Sequence, residues 1–167
     1  ISSYLSIFIS LLGESLPERN DLYAIPGIYR EIVKAYITAY LGKGAPLNRW
    51  SHRAVSEFKS SGIFVKNLTV RKVGARIFEY LPVLNNLKKS KITWADLMFI
   101  ESQGIIRTIE TLRDDFNVPA LSMHDGLIVP MSGAKLAEQE LKRAFSKMKI
   151  SCRVKILSWQ QKKSPKE

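Results

Sequence analysis

The residues best suited to chemistry lie in one short run, Ser122-Met123-His124-Asp125-Gly126-Leu127-Ile128-Val129. Two apolar stretches flank a His-Asp-Gly step, and Asp-Gly in that setting predicts a two-residue hairpin turn. A hairpin tip presents its side chains at a sheet edge, where an Asp carboxylate can hold a hard divalent cation. The same run also reads as an ordinary turn with a spare His, and its spacing does not separate the two. A second candidate pair is Arg30 and Lys34, in Arg30-Glu-Ile-Val-Lys34. Placed four residues apart, they project from one helix face; the solvated basic edge of an amphipathic helix has the same pattern. Glu101 is a third candidate. It lies four residues from both Leu97 and Ile105, inside an apolar stripe. A carboxylate there is paired, neutral or turned toward a functional cleft.

Punctuation and periodicity define the elements that must position these residues. Ile1–Leu12 reads as a buried helix, with Ser2, Ser6 and Ser10 on one face and apolar residues between them. Gly13 closes it. A second helix is expected from near Pro26 to Leu41, ended by Gly42-Lys43-Gly44-Ala45-Pro46. A short helix is expected around Ala54–Phe58, and a short strand or loop at Ile63–Val70. Val70–Leu81 reads as a basic helix, with Val73, Ile77 and Tyr80 on one stripe and Arg71, Lys72 and Arg76 off it. Pro82 breaks or kinks it. Thr93 and Asp96 form a capping-box start, with Asp in place of the usual Glu. The long helix that follows, Trp94–Phe116, carries Glu101 and Gln103 and leads to the His124-Asp125 turn. Ser132 is expected to cap a further helix, with Leu136, Leu141, Ala144, Phe145 and Met148 facing inward. A last strand is expected at Ile150–Leu157, before a basic tail, Gln160–Glu167. This order predicts an α+β fold with an antiparallel sheet and helices on one face.

The chain has 167 residues, 46% of them hydrophobic, which suits one domain with a packed core and a small appended lobe. Lys and Arg number 26 against 15 Asp and Glu, a net charge of +11. Such a charge repels itself unless a polyanion or an acidic surface partly neutralises it, and nucleic acid is the commonest such partner. A solvated basic surface has the same composition. The single cysteine, Cys152, cannot form an intramolecular disulfide, and no Cys/His cluster suggests zinc. It fits a reducing, cytoplasmic compartment. Ile1–Leu12 lacks a basic leader and is too short to span a bilayer, so no membrane partner is expected. The first residue is Ile, not Met, which predicts a fragment or a processed product.

These runs, in this order, resemble the palm and fingers of family A DNA polymerases (the DNA polymerase I group) and of single-subunit phage-type RNA polymerases. The His124-Asp125 run is similar to their C-terminal carboxylate motif, a hairpin tip whose Asp binds the catalytic magnesium. The resemblance therefore implies that Asp125 is a catalytic metal ligand and that His124 shapes the hairpin and contacts the primer end. Phe99-Ile100-Glu101-Ser102-Gln103-Gly104 resembles the helix leading to that hairpin, which implies that Gln103 and Glu101 touch nucleic acid. Arg30 and Lys34 match the fingers helix whose Arg and Lys bind the incoming nucleoside triphosphate. Fixed cations are needed there because negative charge builds on the phosphates and pyrophosphate must leave. Ser2-Ser3-Tyr4-Leu5-Ser6-Ile7 through Leu12-Gly13 resembles the segment after the first catalytic Asp, which by this alignment precedes Ile1. Asp21 then falls in a fingers-side loop and is not a ligand. The resemblance covers most of the chain and implies a single palm-like domain over residues 1–167, with 14–92 as a reduced fingers-like insertion. It departs at Gly126, where the families carry Glu or Ser, and at Thr38, where DNA polymerases place an aromatic residue. The stretch between Lys34 and Glu101 is short for complete fingers, and no thumb or exonuclease domain is recognisable.

The expected function is template-directed nucleotidyl transfer on a primer-template, with magnesium as cofactor. The alternative is a non-catalytic nucleic-acid-binding module derived from a polymerase palm. Two-metal transfer needs a second carboxylate within reach of Asp125; Glu101 and an Asp before Ile1 are both candidates. An HD-type phosphohydrolase needs further His and Asp ligands, but His52 is the only other His and no Asp follows Asp125. No Gly-x-Ser-x-Gly elbow and no complete phosphate-binding loop occurs.

Overall fold

The computed structural model describes residues 4–18, 21–63 and 69–157. They are mostly helical, with one two-stranded antiparallel sheet. Two compact units are present, one ending at Ile100 and one beginning at Glu101.

In the first unit, helix α1 (Tyr4–Leu11) buries Leu5, Ser6, Ile7, Phe8 and Ile9 in succession, so every side of it is covered, as its apolar run predicts. No helix among the described residues is long and apolar enough to cross a membrane. Helix α2 (Arg30–Lys43) starts later than expected. Pro26 and Gly27 instead form a turn in which the Ile28 N–H donates to the Ile25 carbonyl at 3.2 Å. Gly27 has φ of 80°, the left-handed conformation that a type II turn requires at this position and that a right-handed helix excludes. At the other end Gly44, at φ 70°, donates its N–H to the Tyr40 carbonyl, closing α2 within the glycine-rich run.

Helix α2 packs against α1, against α3 (His52–Ser60) and against α4 (Val70–Tyr80). Ser51 caps α3 by accepting the Ala54 N–H at 3.1 Å, and α3 is longer at both ends than the sequence predicts. Tyr36, Tyr40, Trp50, Phe58 and Phe78 form an aromatic cluster with centroid separations of 5.1 to 6.4 Å. Gly74 makes room for it: a Cβ there would lie 2.8 Å from Tyr36 Cζ. Burial raises the pKa of Tyr36 and of Tyr40, and the Tyr40 hydroxyl donates to the Leu84 carbonyl at 3.0 Å. Leu84 lies in a 3-10 turn (Pro82–Asn86) that opens at the proline ending α4. A single-turn helix, α5 (Leu87–Ser90), follows. The expected strand or loop at Ile63–Val70 lies largely outside the described residues.

Helix α6 (Trp94–Asp114) begins in the first unit and continues into the second. Its start is the predicted box: the Asp96 carboxylate accepts the Thr93 N–H at 2.7 Å, and the Thr93 hydroxyl accepts the Asp96 N–H at 3.3 Å. Asn117, at φ 52°, ends it two residues earlier than predicted, and the Val118 N–H returns to the Leu112 carbonyl at 2.8 Å. Strands β1 (Leu121–Met123) and β2 (Gly126–Ile128) form the hairpin, with Leu121 opposite Ile128 and Met123 opposite Gly126. Leu121, Met123 and Ile128 are all exposed.

Helix α7 (Ala134–Lys147) buries Ala137, Leu141, Ala144 and Phe145. Ser132 does not cap it. Met131–Gly133 forms a 3-10 turn first, and Gly133 lies against Val118, where a Cβ would be 2.8 Å from Cγ1. The expected strand at Ile150–Leu157 is likewise corrected: these residues are described and form no strand. Ile150 is buried while Cys152 and Val154 are half-buried, so the period of two records partial cover on one side without ladder pairing. The tail from Gln160 lies outside the described residues.

Candidate functional site

The hairpin sets the geometry of the first candidate group. Because Met123 pairs with Gly126, the two turn residues are His124 and Asp125, at the tip where the sequence places them, and Gly126 falls in the strand. His124 takes the left-handed conformation, with φ of 50°, one that His adopts more readily than most residues. Gly126 lies in the ladder without a positive φ. Both His124 and Asp125 are exposed. Asp125 thus lies exposed at the tip of the hairpin.

Glu101 and Gln103 lie on α6, both half-buried. Just beyond them one face of the helix is closely packed. Gly104 and Ile105 are buried, and the wholly buried Thr108 hydroxyl donates to the Gly104 carbonyl at 2.7 Å. An open groove of about 330 Å³ lies farther along this helix, between α6 and α7. Glu110, Asp114, Asp115 and Glu140 line it with Arg107 and Lys147. Sequence reasoning missed this groove; its signal was the Asp114-Asp115 step at the end of α6. Beside it, Arg113 donates twice to Asp114, at 2.6 and 2.9 Å, which holds the Asp114 carboxyl below its ordinary range.

Arg30 and Lys34 belong to the first unit, on the opening turns of α2. Arg30 donates from Nε to Asp21 Oδ2, and the other oxygen of Asp21 accepts the Tyr23 N–H at 3.0 Å. The Arg30 guanidinium lies 5.5 Å from the Tyr23 ring centroid. Lys34 is exposed. The hairpin pair and the α2 pair therefore reside in different units. Asp21, placed by the sequence in a loop and outside the metal ligands, is the partner of Arg30; nothing in its local sequence signals that pairing.

Among the described residues, no three His, Cys, Asp or Glu side chains converge as a metal-binding group.

Charge is distributed unevenly along the chain. The first unit carries fourteen Lys and Arg against seven Asp and Glu. From Arg71 to Lys91 six cations accompany one acid, Glu79, which Arg76 engages at 2.8 Å. Arg71, Lys72, Lys88, Lys89 and Lys91 are exposed.

Comparison of the chain with family models, with curated proteins and with solved structures finds no match.

Proposed function

We propose that this chain is the palm-like part of a template-directed nucleotidyltransferase that resembles family A DNA polymerases and phage-type RNA polymerases. The observation that carries this reading is the hairpin: an exposed His124-Asp125 pair forms a two-residue turn between antiparallel strands. A long capped helix precedes that turn and an amphipathic helix follows it. On this reading Asp125 is the magnesium-binding carboxylate, His124 meets the primer end, and Arg30 and Lys34 hold the nucleoside triphosphate. Gln103 and Glu101 meet nucleic acid from α6. The partner carboxylate of Asp125 is not assigned. The compartment is the cytoplasm.

A second reading, a nucleic-acid-binding module without catalysis, is supported by the basic stretch from Arg71 to Lys91, which needs no carboxylate to attract a phosphate backbone. The two are separated by primer extension, measured in this chain and in any longer natural form that contains it. Extension by the longer form that is lost in Asp125→Ala, with primer-template affinity retained, supports the enzyme. Extension that survives Asp125→Ala removes Asp125 from catalysis. Binding without extension in every form supports the module.

A further inference from the structure

We infer that Asp21 is a positioning residue: it holds the Arg30 guanidinium so that its two terminal nitrogens face an incoming polyphosphate. The inference rests on the assignment of Arg30 and Lys34 to phosphate binding, and it adds a residue that the polymerase resemblance leaves in a loop without a role.

The guanidinium has five N–H donors in a rigid fork, and the edge it uses for one partner decides which edge remains for another. Asp21 takes Arg30 through Nε alone. This differs from Arg113, whose Nε and Nη2 are both spent on Asp114. In Arg30 the Nη1/Nη2 edge stays outside the ion pair, and the side chain is half exposed, at 51%. That edge carries two parallel N–H donors and can meet two phosphate oxygens at once.

The support beneath it is fixed. Asp21 is itself tied by the Tyr23 N–H at 3.0 Å. Tyr23 is buried, and its ring lies against the guanidinium. The Pro26-Gly27 turn, closed between Ile25 and Ile28, then brings the chain back to the start of α2. A long, flexible side chain is thereby held before any ligand arrives, which lowers the ordering cost of binding.

A carboxylate beside an anion site also repels the anion, so the sign of its removal separates positioning from repulsion. The test is titration of the full chain with inorganic tripolyphosphate at low ionic strength, followed by calorimetry and by the Arg30 Nε–H and Lys34 side-chain NMR signals. Arg30→Ala is expected to weaken binding. Asp21→Asn is expected to weaken it too, by roughly two- to fivefold, although it deletes a negative charge. The Tyr23 N–H and Arg30 meet different oxygens of Asp21, so in the asparagine an NH2 group replaces one of the two acceptors. Asp21→Glu should restore part of the affinity, and Asp21→Asn should cause no further weakening in the Arg30→Ala background. Equal or tighter binding by Asp21→Asn, with Arg30→Ala still weak, overturns the positioning role and leaves the phosphate site standing. No effect of Arg30→Ala overturns both. In the unaltered chain, the Arg30 Nε–H should remain bonded to Asp21 at saturating tripolyphosphate; release of that bond on saturation would show that Asp21 blocks the site.

Discussion

The ring of Phe145 on α7 rests on the bare backbone of Gly104 on α6. A Cβ at position 104 would lie 2.9 Å from the ring Cε1 and nearer still to Cζ, and Phe145 is fully buried. Alanine at this position would gain about 1 kcal/mol of helix propensity, but overpacking a closed interface costs about 1–3 kcal/mol. Gly104→Ala should therefore lower the urea midpoint without changing the slope of the transition. Phe145→Leu combined with it should cost less than the two single changes together, because the ring is the atom group in the way. A stabilising Gly104→Ala would show that the ring has room to retreat.

The cap of α6 predicts a pH dependence. The hydroxyl and amide hydrogen bonds from Thr93 hold the Asp96 carboxyl below its ordinary range. A carboxyl depressed in the folded state stabilises fully above its unfolded value of about 3.9 and loses that contribution as pH falls through the folded value. The melting-temperature gap between the unaltered chain and Asp96→Ala should thus be constant near neutrality and shrink below about pH 4. Thr93→Ala should cost about 1 kcal/mol at neutral pH. A gap that widens on acidification would contradict the cap.

Helices announced by local chemistry were legible from sequence. The Thr93/Asp96 box and the Gly44 stop both act within a few residues, so their signals lie in the sequence window that forms them. Elements decided by distant packing were not legible. Ser132 has the chemistry of a cap, yet the packing of Gly133 on Val118, fifteen positions earlier, brings a 3-10 turn there instead. Ile150–Leu157 has the alternation of a strand, but a strand also needs a neighbour with a free edge in register, which alternation cannot encode. The candidate site divides in the same way. The hairpin was readable from its turn residues, whereas the Asp21–Arg30 pair joins a loop to a helix across nine positions and follows no motif.

The turn at the hairpin tip gives a prediction at two adjacent positions. His124 is left-handed, and Gly126 is an ordinary strand residue whose added Cβ would meet only the Met123 carbonyl, at 3.5 Å. Gly126→Ala should therefore leave stability nearly unchanged. His124→Val should cost about 1–2 kcal/mol, because a branched side chain is strained in the left-handed region, while His124→Asn should be tolerated. The opposite order, with Gly126 the sensitive position, would mean that Asp125-Gly126 forms the turn.

The nucleic-acid assignment predicts how binding responds to salt and to charge. Cations seated on phosphates release condensed counterions, so the logarithm of affinity falls linearly with the logarithm of salt, by about 0.9 per duplex phosphate neutralised. The exposed cations Arg71, Lys72, Lys88 and Lys89 lie in a stretch of six cations that holds a single acid, Glu79. Replacing Lys88 and Lys89 with Gln should weaken binding to a primer-template regardless of its sequence, and lower the salt slope by about 1 for each phosphate no longer neutralised. Glu79→Gln tests the same surface from the other side: Arg76, now held by Glu79, is released, and binding should tighten. Asp125→Asn should leave the slope unchanged, because an acid at a hairpin tip neutralises no phosphate. Electrophoretic mobility shift or fluorescence anisotropy over a salt series measures all four proteins. Undetectable binding at low salt would sink the nucleic-acid assignment. Strong binding with an unchanged slope in the lysine variants would keep it and move the phosphate-binding surface elsewhere.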